Sequence, residues 1–286
     1  MFNIVPTLRC NLRCRLCNVL CPYFREPYHP TMEHLFEQAD RYFSVIPRTA
    51  RFVVSGGEPL VRSDLHEWVY FLAKFAPQIE RLDLNTNGTL IPDDRLLQSL
   101  SEYPGKIRVL VDDYGSDKSV KAWEAYEAFK GVYGAEVELR DYCTKDAHFG
   151  GWVDFGIYDL YKLQRKTDEQ AVKTNATCST PKMGYAAMML NGIMYHCPRQ
   201  IYLIAHKVIP ALPGEAIDFF DDSLGDAELR QRVAAFYKSG AHLTCYYCEG
   251  LQEEAPVRHP AAEQMTAAEQ HRIWEAHDGW RKRNHD

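Results

Sequence analysis

Cys10, Cys14 and Cys17 place three thiols at C-x3-C-x2-C, within eight residues and directly after a strand-like run over residues 3–8. Thiols that leave one strand end in this way can ligate three corners of a four-iron, four-sulfur cluster and leave the fourth iron open, whereas clusters that only carry electrons usually hold every iron with cysteine. An open iron is a place to bind something. The spacing alone also admits a zinc site short of one ligand, or thiols without a partner. Four further cysteines form a second set: Cys178, Gly192 and Cys197 read C-x13-G-x4-C, and Cys245 and Cys248 read C-x2-C. Gly192 lies between two strand-like runs, so a hairpin turn there brings Cys178 and Cys197 together. On residue types, zinc and iron–sulfur fit these four thiolates equally well.

Leu16, between the second and third cysteines, is an apolar side chain able to cover a flat ring, and Ser55-Gly56-Gly57-Glu58-Pro59 closes the next strand. This pair of motifs resembles the radical S-adenosylmethionine (SAM) superfamily over about the first 150 residues, a motif match judged by its strand context. The resemblance implies that SAM chelates the open iron through its amino and carboxylate groups. One electron from the cluster then cleaves it to methionine and a 5′-deoxyadenosyl radical. It further implies that Glu58 with Gly56 and Gly57 receives the SAM amino group, Pro59 completing that cofactor-binding motif. Thr86 and Asn87, in the third strand's terminal turn, are candidates to meet the SAM ribose or carboxylate, and a capped turn is an equally good reading of them. The late cysteines resemble the twitch extension of that superfamily, a short relative of the SPASM domain that holds one auxiliary four-iron, four-sulfur cluster. A flavodoxin or ferredoxin is the implied reductant.

The remaining candidates follow from position and residue type. Asp112 and Asp113 end the fourth strand and could hold hydroxyls or amines of cofactor or substrate; Leu110 replaces the serine that many relatives carry there and removes that ribose contact. Arg140, in a strand between apolar neighbours, is costly to bury without an anion, so it is a candidate for the SAM carboxylate or the substrate. Cys143 could return a hydrogen atom to a substrate radical, and His148 or Asp154 could take a proton. Cys21 is read as structural.

These residues need elements to position them. Strand-like runs over 3–8, 51–55, 79–84, 106–111 and 135–142 alternate with helical periods, with a weak sixth run over 151–156. Such alternation implies right-handed βαβ units and a parallel sheet closed wholly or partly into a barrel. The fold class is therefore α/β, a partial (β/α)5-6 TIM-like barrel followed by a small β-hairpin and helix domain. The Gly, Asn, Asp and Cys clusters fall at the carboxyl ends of strands, where such barrels put their sites. The division expected is 1–157 for the barrel, 158–255 for the auxiliary-cluster domain and 256–286 for a C-terminal helix, opened by the capping box Thr266 to Glu269, and a tail that frays.

The whole chain sets outer bounds. With 46% hydrophobic residues in 286 it can bury a sizeable core, and a net charge of −6 without a basic stripe argues against a nucleic-acid partner. No apolar run approaches a membrane span, and no targeting segment precedes Cys10, which reads as a cytoplasmic protein. Nine cysteines there are better explained as metal ligands than as disulfides. The cluster spacing, domain order and compactness resemble the radical SAM dehydrogenases of aminoglycoside pathways, which implies oxidation of an alcohol on a small sugar-like or cyclitol substrate, the second cluster taking an electron. The alternatives are a radical epimerase with a cysteine hydrogen donor, a peptide-modifying enzyme, for which the nine residues before Cys10 leave no leader-binding domain, and a non-catalytic iron–sulfur electron carrier.

Overall fold

A computed structural model describes every residue except 145–146, 183–186, 237, 239, 255–256 and 286, and leaves the side chains of 182, 284 and 285 undescribed. The contacts divide the chain into two compact units. One comprises Met1–Leu12, Pro27–Gly150 and Met189–Gly192; the other comprises Arg13–Glu26, Gly151–Met188 and Ile193–Asp286.

The first unit is α/β. Strands β1 (Phe2–Ile4), β2 (Phe52–Val54), β3 (Leu82–Thr86), β4 (Ile107–Asp113) and β5 (Glu136–Asp141) pair side by side, all parallel. The end of β6 (Ala187–Leu190) joins at β1, where Val5 N–H donates to the Met189 carbonyl. The sheet does not close, which makes it a partial barrel. The runs of β1 to β4 are largely buried on both faces, as a parallel sheet requires, whereas β5 at the edge is only half-buried. Helix α1 (Met32–Val45) is capped by Thr31, and α2 (Leu65–Leu72), α3 (Asp94–Leu100) and α4 (Ala122–Lys130) follow the later strands. Tyr42 of α1 stacks on Phe2 at 3.9 Å, and Trp68 of α2 is wholly buried. At the amino ends of the strands the buried Asp83 is ringed by Arg51, Arg81 and Arg108. The carboxyl ends are left for other work.

β1 is shorter than its sequence run because Pro6 has no N–H for a ladder. The sixth strand expected over 151–156 does not form: Trp152 alone bridges to His259, Gly151 and Gly156 take positive φ, and Asp154 caps a turn by accepting from Gly156 N–H.

In the second unit, α5 (Asp168–Thr177) ends at Cys178, and α6 (Ser179–Lys182) follows at once. The hairpin turn expected at Gly192 is present: Asn191 and Gly192 both have positive φ, joining β6 to β7 (Ile193–Tyr195). The first residue expected in that hairpin, Ala186, lies outside the described residues. β7 pairs antiparallel with β8 (Ala216–Asp218). α7 (Pro198–Ala205) starts directly after Cys197, with α8 (Asp226–Phe236) later. α9 (Ala267–His285) opens with the expected capping box, Thr266 Oγ1 accepting from Glu269 N–H while the Glu269 carboxylate accepts from Thr266 N–H; it continues through the segment expected to fray. Leu20, Tyr23, Phe155, Tyr202, Leu203 and Met265 share one core. No helix among the described residues is long and apolar enough to cross a membrane.

Candidate active site

In the first unit the loops after β1, β2 and β3 are laced together at Cys10. Gly57 N–H donates to the Thr7 carbonyl and Glu58 N–H to the Arg9 carbonyl, at 2.8 and 2.9 Å. A Cβ on Gly56 would lie 2.4 Å from the Thr7 oxygen, and one on Gly57 2.0 Å from the Arg9 oxygen. The double glycine is thus demanded by two backbones in contact. Glu58 is 1% exposed. Its Oε1 accepts from Leu60 N–H and the Thr86 hydroxyl, and its Oε2 from Asn87 N–H at 2.7 Å. Burial pushes its carboxyl up to about 7 against the pull of these three donors. The carboxylate braces the β2 loop to the β3 loop, and with three donors in place it keeps room for one more. Pro59 is buried at the first position of the turn that Glu58 caps.

Asn87 Nδ2 reaches Cys10 Sγ at 3.7 Å and Asn11 Oδ1 at 3.0 Å, and Thr89 closes this small network. Asn11 and Thr89 are partners that the sequence did not single out. A cavity of about 390 Å³ borders Cys10 beside Arg9, Asn11, His29 and Arg62.

At the ends of β4 and β5, Asp112 accepts from Arg140 Nε at 2.6 Å and from the Tyr114 hydroxyl at 2.9 Å. Arg140 therefore has its anion within the protein. Burial raises the Asp112 carboxyl while Arg140 and Tyr114 oppose it. His148 is exposed, its ring meets Tyr142, and burial and the nearby Arg140 lower its pKa, so it is neutral near pH 7. The Cys143 thiol is exposed and donates to the Asp113 carbonyl at 3.3 Å; partial burial, Asp113 and Asp141 raise its pKa. Leu110 is buried. Asp154 belongs to the second unit, where it is an exposed turn cap.

Cys10 belongs to the first unit; Cys14, Leu16 and Cys17 belong to the second. Each thiol has its own donors. Leu12 N–H lies 3.4 Å from Cys10 Sγ, and Gln264 Nε2 lies 3.2 Å from Cys14 Sγ. The Cys17 thiol is pulled below its ordinary range, first by a hydrogen bond with Cys21 and then by backbone N–H groups, against burial. Cys21 thus serves Cys17, and Leu16 beside it is half-buried. Gln264 carried no signal in the sequence, being 250 residues from its partner.

Cys178, Cys197, Cys245 and Cys248 are all buried. Burial, with added repulsion from the other three, pushes Cys245 up to about 12; burial, with Cys197 and Cys178, pushes Cys248 to about 11 although Arg199 opposes them. Arg199, two residues after Cys197, is 2% exposed, donates to Asn18 and Thr180, and lies over the Phe155 ring. Burial works against its charge, and Cys197, Cys248 and Cys178 more than offset that. A charged residue so close to a cysteine in an apolar helix was the available sequence signal for Arg199.

As placed, no three His, Cys, Asp or Glu side chains among the described residues stand in ligating geometry. The donor sets nevertheless suit metal centres. Sulfurs that accept N–H donors match thiolates on a cluster, and four buried thiols, two of them with raised pKa values, carry an electrostatic cost on ionisation which a cationic centre removes.

Residues 4–121 match the model of the Radical SAM superfamily. Over 102 residues the chain is 35% identical to the 7,8-dihydro-6-hydroxymethylpterin dimethyltransferase of Methanocaldococcus jannaschii, a span of 35% of this chain and 19% of that protein. Over 91 residues it is 34% identical to the GTP 3′,8-cyclase of Campylobacter curvus, 31% of this chain and 27% of that one. The chain spans between about a fifth and a quarter of the length of these curated relatives. It is similar in fold to BtrN, crystallised in complex with AdoMet and 2-DOIA, with a TM-score of 0.56 over 93% of this chain and 98% of that one at 16% identity. The cysteine loop and the glycine-laced β2 loop both lie inside the matched span, and residues 4–121 are a radical SAM domain.

Proposed function

We propose that this radical SAM enzyme oxidises an alcohol on a small polar substrate, such as a sugar or cyclitol, and that residues 158–255 form a twitch domain holding an auxiliary cluster as electron acceptor. The observation that carries the reading is the set of four buried thiols, Cys178, Cys197, Cys245 and Cys248, gathered in one unit. When bound, an iron–sulfur cluster at Cys10, Cys14 and Cys17 supplies the electron that cleaves SAM. The rest falls to the protein. Gly56 and Gly57 let the β2 loop lie against the cysteine loop, Glu58 and Asn87 hold the β3 loop beside Cys10, and Leu16 covers a flat ring. Asp112 and Arg140 fix each other, and neutral His148 nearby is the group suited to take the hydroxyl proton. Arg199 balances thiolate charge at the four-cysteine site. The reducing partner is a flavodoxin or ferredoxin.

Anaerobic reconstitution with iron and sulfide counting, on wild type and on the Cys10/Cys14/Cys17→Ala variant, tests this beside deoxyadenosine release. About eight irons falling to about four, the numbers for two cysteine-held clusters, with cleavage abolished, supports it; a panel of polyols is then screened for ketone formation. About four irons falling to none, with zinc retained, removes the electron acceptor and sinks the dehydrogenase reading. One observation favours a second reading: Cys143 is an exposed thiol kept protonated, which suits a hydrogen-atom donor in an epimerase. A product inverted at one carbon rather than oxidised, and lost in Cys143→Ala, would establish it.

A further inference from the structure

In the second unit the cysteine loop runs antiparallel to a late segment of the chain. Cys14 bridges to Gln264, Arg15 N–H donates to the Glu263 carbonyl, and Met265 N–H donates to the Arg13 carbonyl. Side chains reinforce the pairing. Arg15 meets Glu263 and Glu269, Arg13 Nε donates to the Met265 carbonyl, and Gln270 and Trp274 donate to the Pro22 carbonyl. Gln264 sits at the centre. Its Oε1 accepts from Arg13 N–H at 2.7 Å; its Nε2 donates to the Ala262 carbonyl at 2.8 Å and to Cys14 Sγ at 3.2 Å. Both amide hydrogens and one oxygen lone pair are thereby directed by neighbours on both strands, so the amide N–H is aimed at sulfur rather than free to turn.

We infer that Gln264 is a positioning residue for the SAM-binding cluster: it sets the place of Cys14 and tunes the cluster through an N–H···S hydrogen bond. The inference rests on the reading of Cys10, Cys14 and Cys17 as cluster ligands. A donor to a ligating sulfur stabilises the more negative, reduced cluster, so its loss moves the potential downward. Outer hydrogen bonds of this kind also orient the ligand itself.

The test uses reconstituted full-length protein with Gln264→Leu, which keeps bulk and loses both amide functions, and Gln264→Glu, which keeps the acceptor for Arg13 and replaces the donor by a second acceptor. The readout is the midpoint potential of the electron paramagnetic resonance signal that changes on adding SAM, since only an open-iron cluster responds. The expected result is full iron with the potential moved negative in Gln264→Leu and further in Gln264→Glu. Unchanged potentials in both, with iron retained, overturn the inference. In iron-free protein the rate of Cys14 alkylation, read by peptide mass spectrometry, gives a second measure: faster labelling in Gln264→Leu supports the positioning role, and an unchanged rate counts against it. Absence of any SAM-responsive signal in wild type would instead defeat the assignment of the three cysteines, and the alkylation result would still stand or fall on its own.

Discussion

Asp112 and Arg140 face each other directly across β4 and β5, Arg140 Nε donating to Asp112 Oδ1 over 2.6 Å, with the two side chains only 12% and 10% exposed. Removing one member of so buried a pair strands the other. Arg140→Met is expected to cost about 3 kcal/mol, and Arg140→Met combined with Asp112→Asn to recover part of it, because a neutral amide is cheaper to bury than a lone carboxylate. Urea midpoints for the wild type, the single variant and the double variant decide the matter; equal midpoints for single and double would show that the charge is not what is lost.

Gly57 is held to glycine by the Arg9 carbonyl, which a Cβ would meet at 2.0 Å, whereas a Cβ on Gly240 would meet nothing within 4 Å among the described residues. Gly57→Ala should therefore displace the loop beside Cys10 and halve the iron retained on reconstitution, and Gly240→Ala should leave iron and stability as they are. Full iron in Gly57→Ala would show that the two loops separate without consequence.

Glu58 predicts a sign. Its carboxyl, raised to about 7 by burial, stays protonated in the folded chain at pH values where the unfolded chain has already ionised it. The folded state then binds more protons between the ordinary carboxylate value and about 7, so this group's contribution to stability falls as pH rises through that window. The stability of wild type relative to Glu58→Gln should accordingly be greater at pH 5 than at pH 8, measured as a difference in unfolding midpoint. A difference that widens at pH 8 would mean that the carboxylate is stabilised ionised.

The second unit predicts the opposite sign. His206 is buried with neither ring nitrogen hydrogen-bonded among the described residues, and burial, His277 and Arg281 lower its pKa to about 3; burial lowers His277 to about 4. The unfolded chain protonates both near their ordinary value, so stability is complete above that value and is lost as pH falls toward the folded values. His206→Phe should unfold at lower pH than wild type, followed by tryptophan fluorescence. An unchanged acid midpoint would place the proton uptake elsewhere.

How much of this was written in the chain depends on separation. The cysteine loop and the double glycine were legible because their chemistry is local, needing three thiols on one turn and a backbone without Cβ. The βαβ rhythm was legible because each strand and helix carries its own period. Arg140 was recognised as needing an anion, but its partner lies 28 residues earlier and is selected by the register of β4 on β5. The strand expected over 151–156 failed on its ends, where glycines at positive φ and the Asp154 cap turn the chain. Gln264 was out of reach altogether, since nothing in a lone glutamine marks it as facing sulfur.

The antiparallel pairing of Cys14 with Gln264 also orders events in time. Synthesis delivers the cysteine loop first, and Gln264, which with Glu263, Met265 and Trp274 frames it, follows 250 residues after Cys14. Until that segment is made, Cys14 lacks both the strand it pairs with and the amide that meets its sulfur. A thiol made early is thus framed late, and its setting depends on a partner that the growing chain does not yet contain.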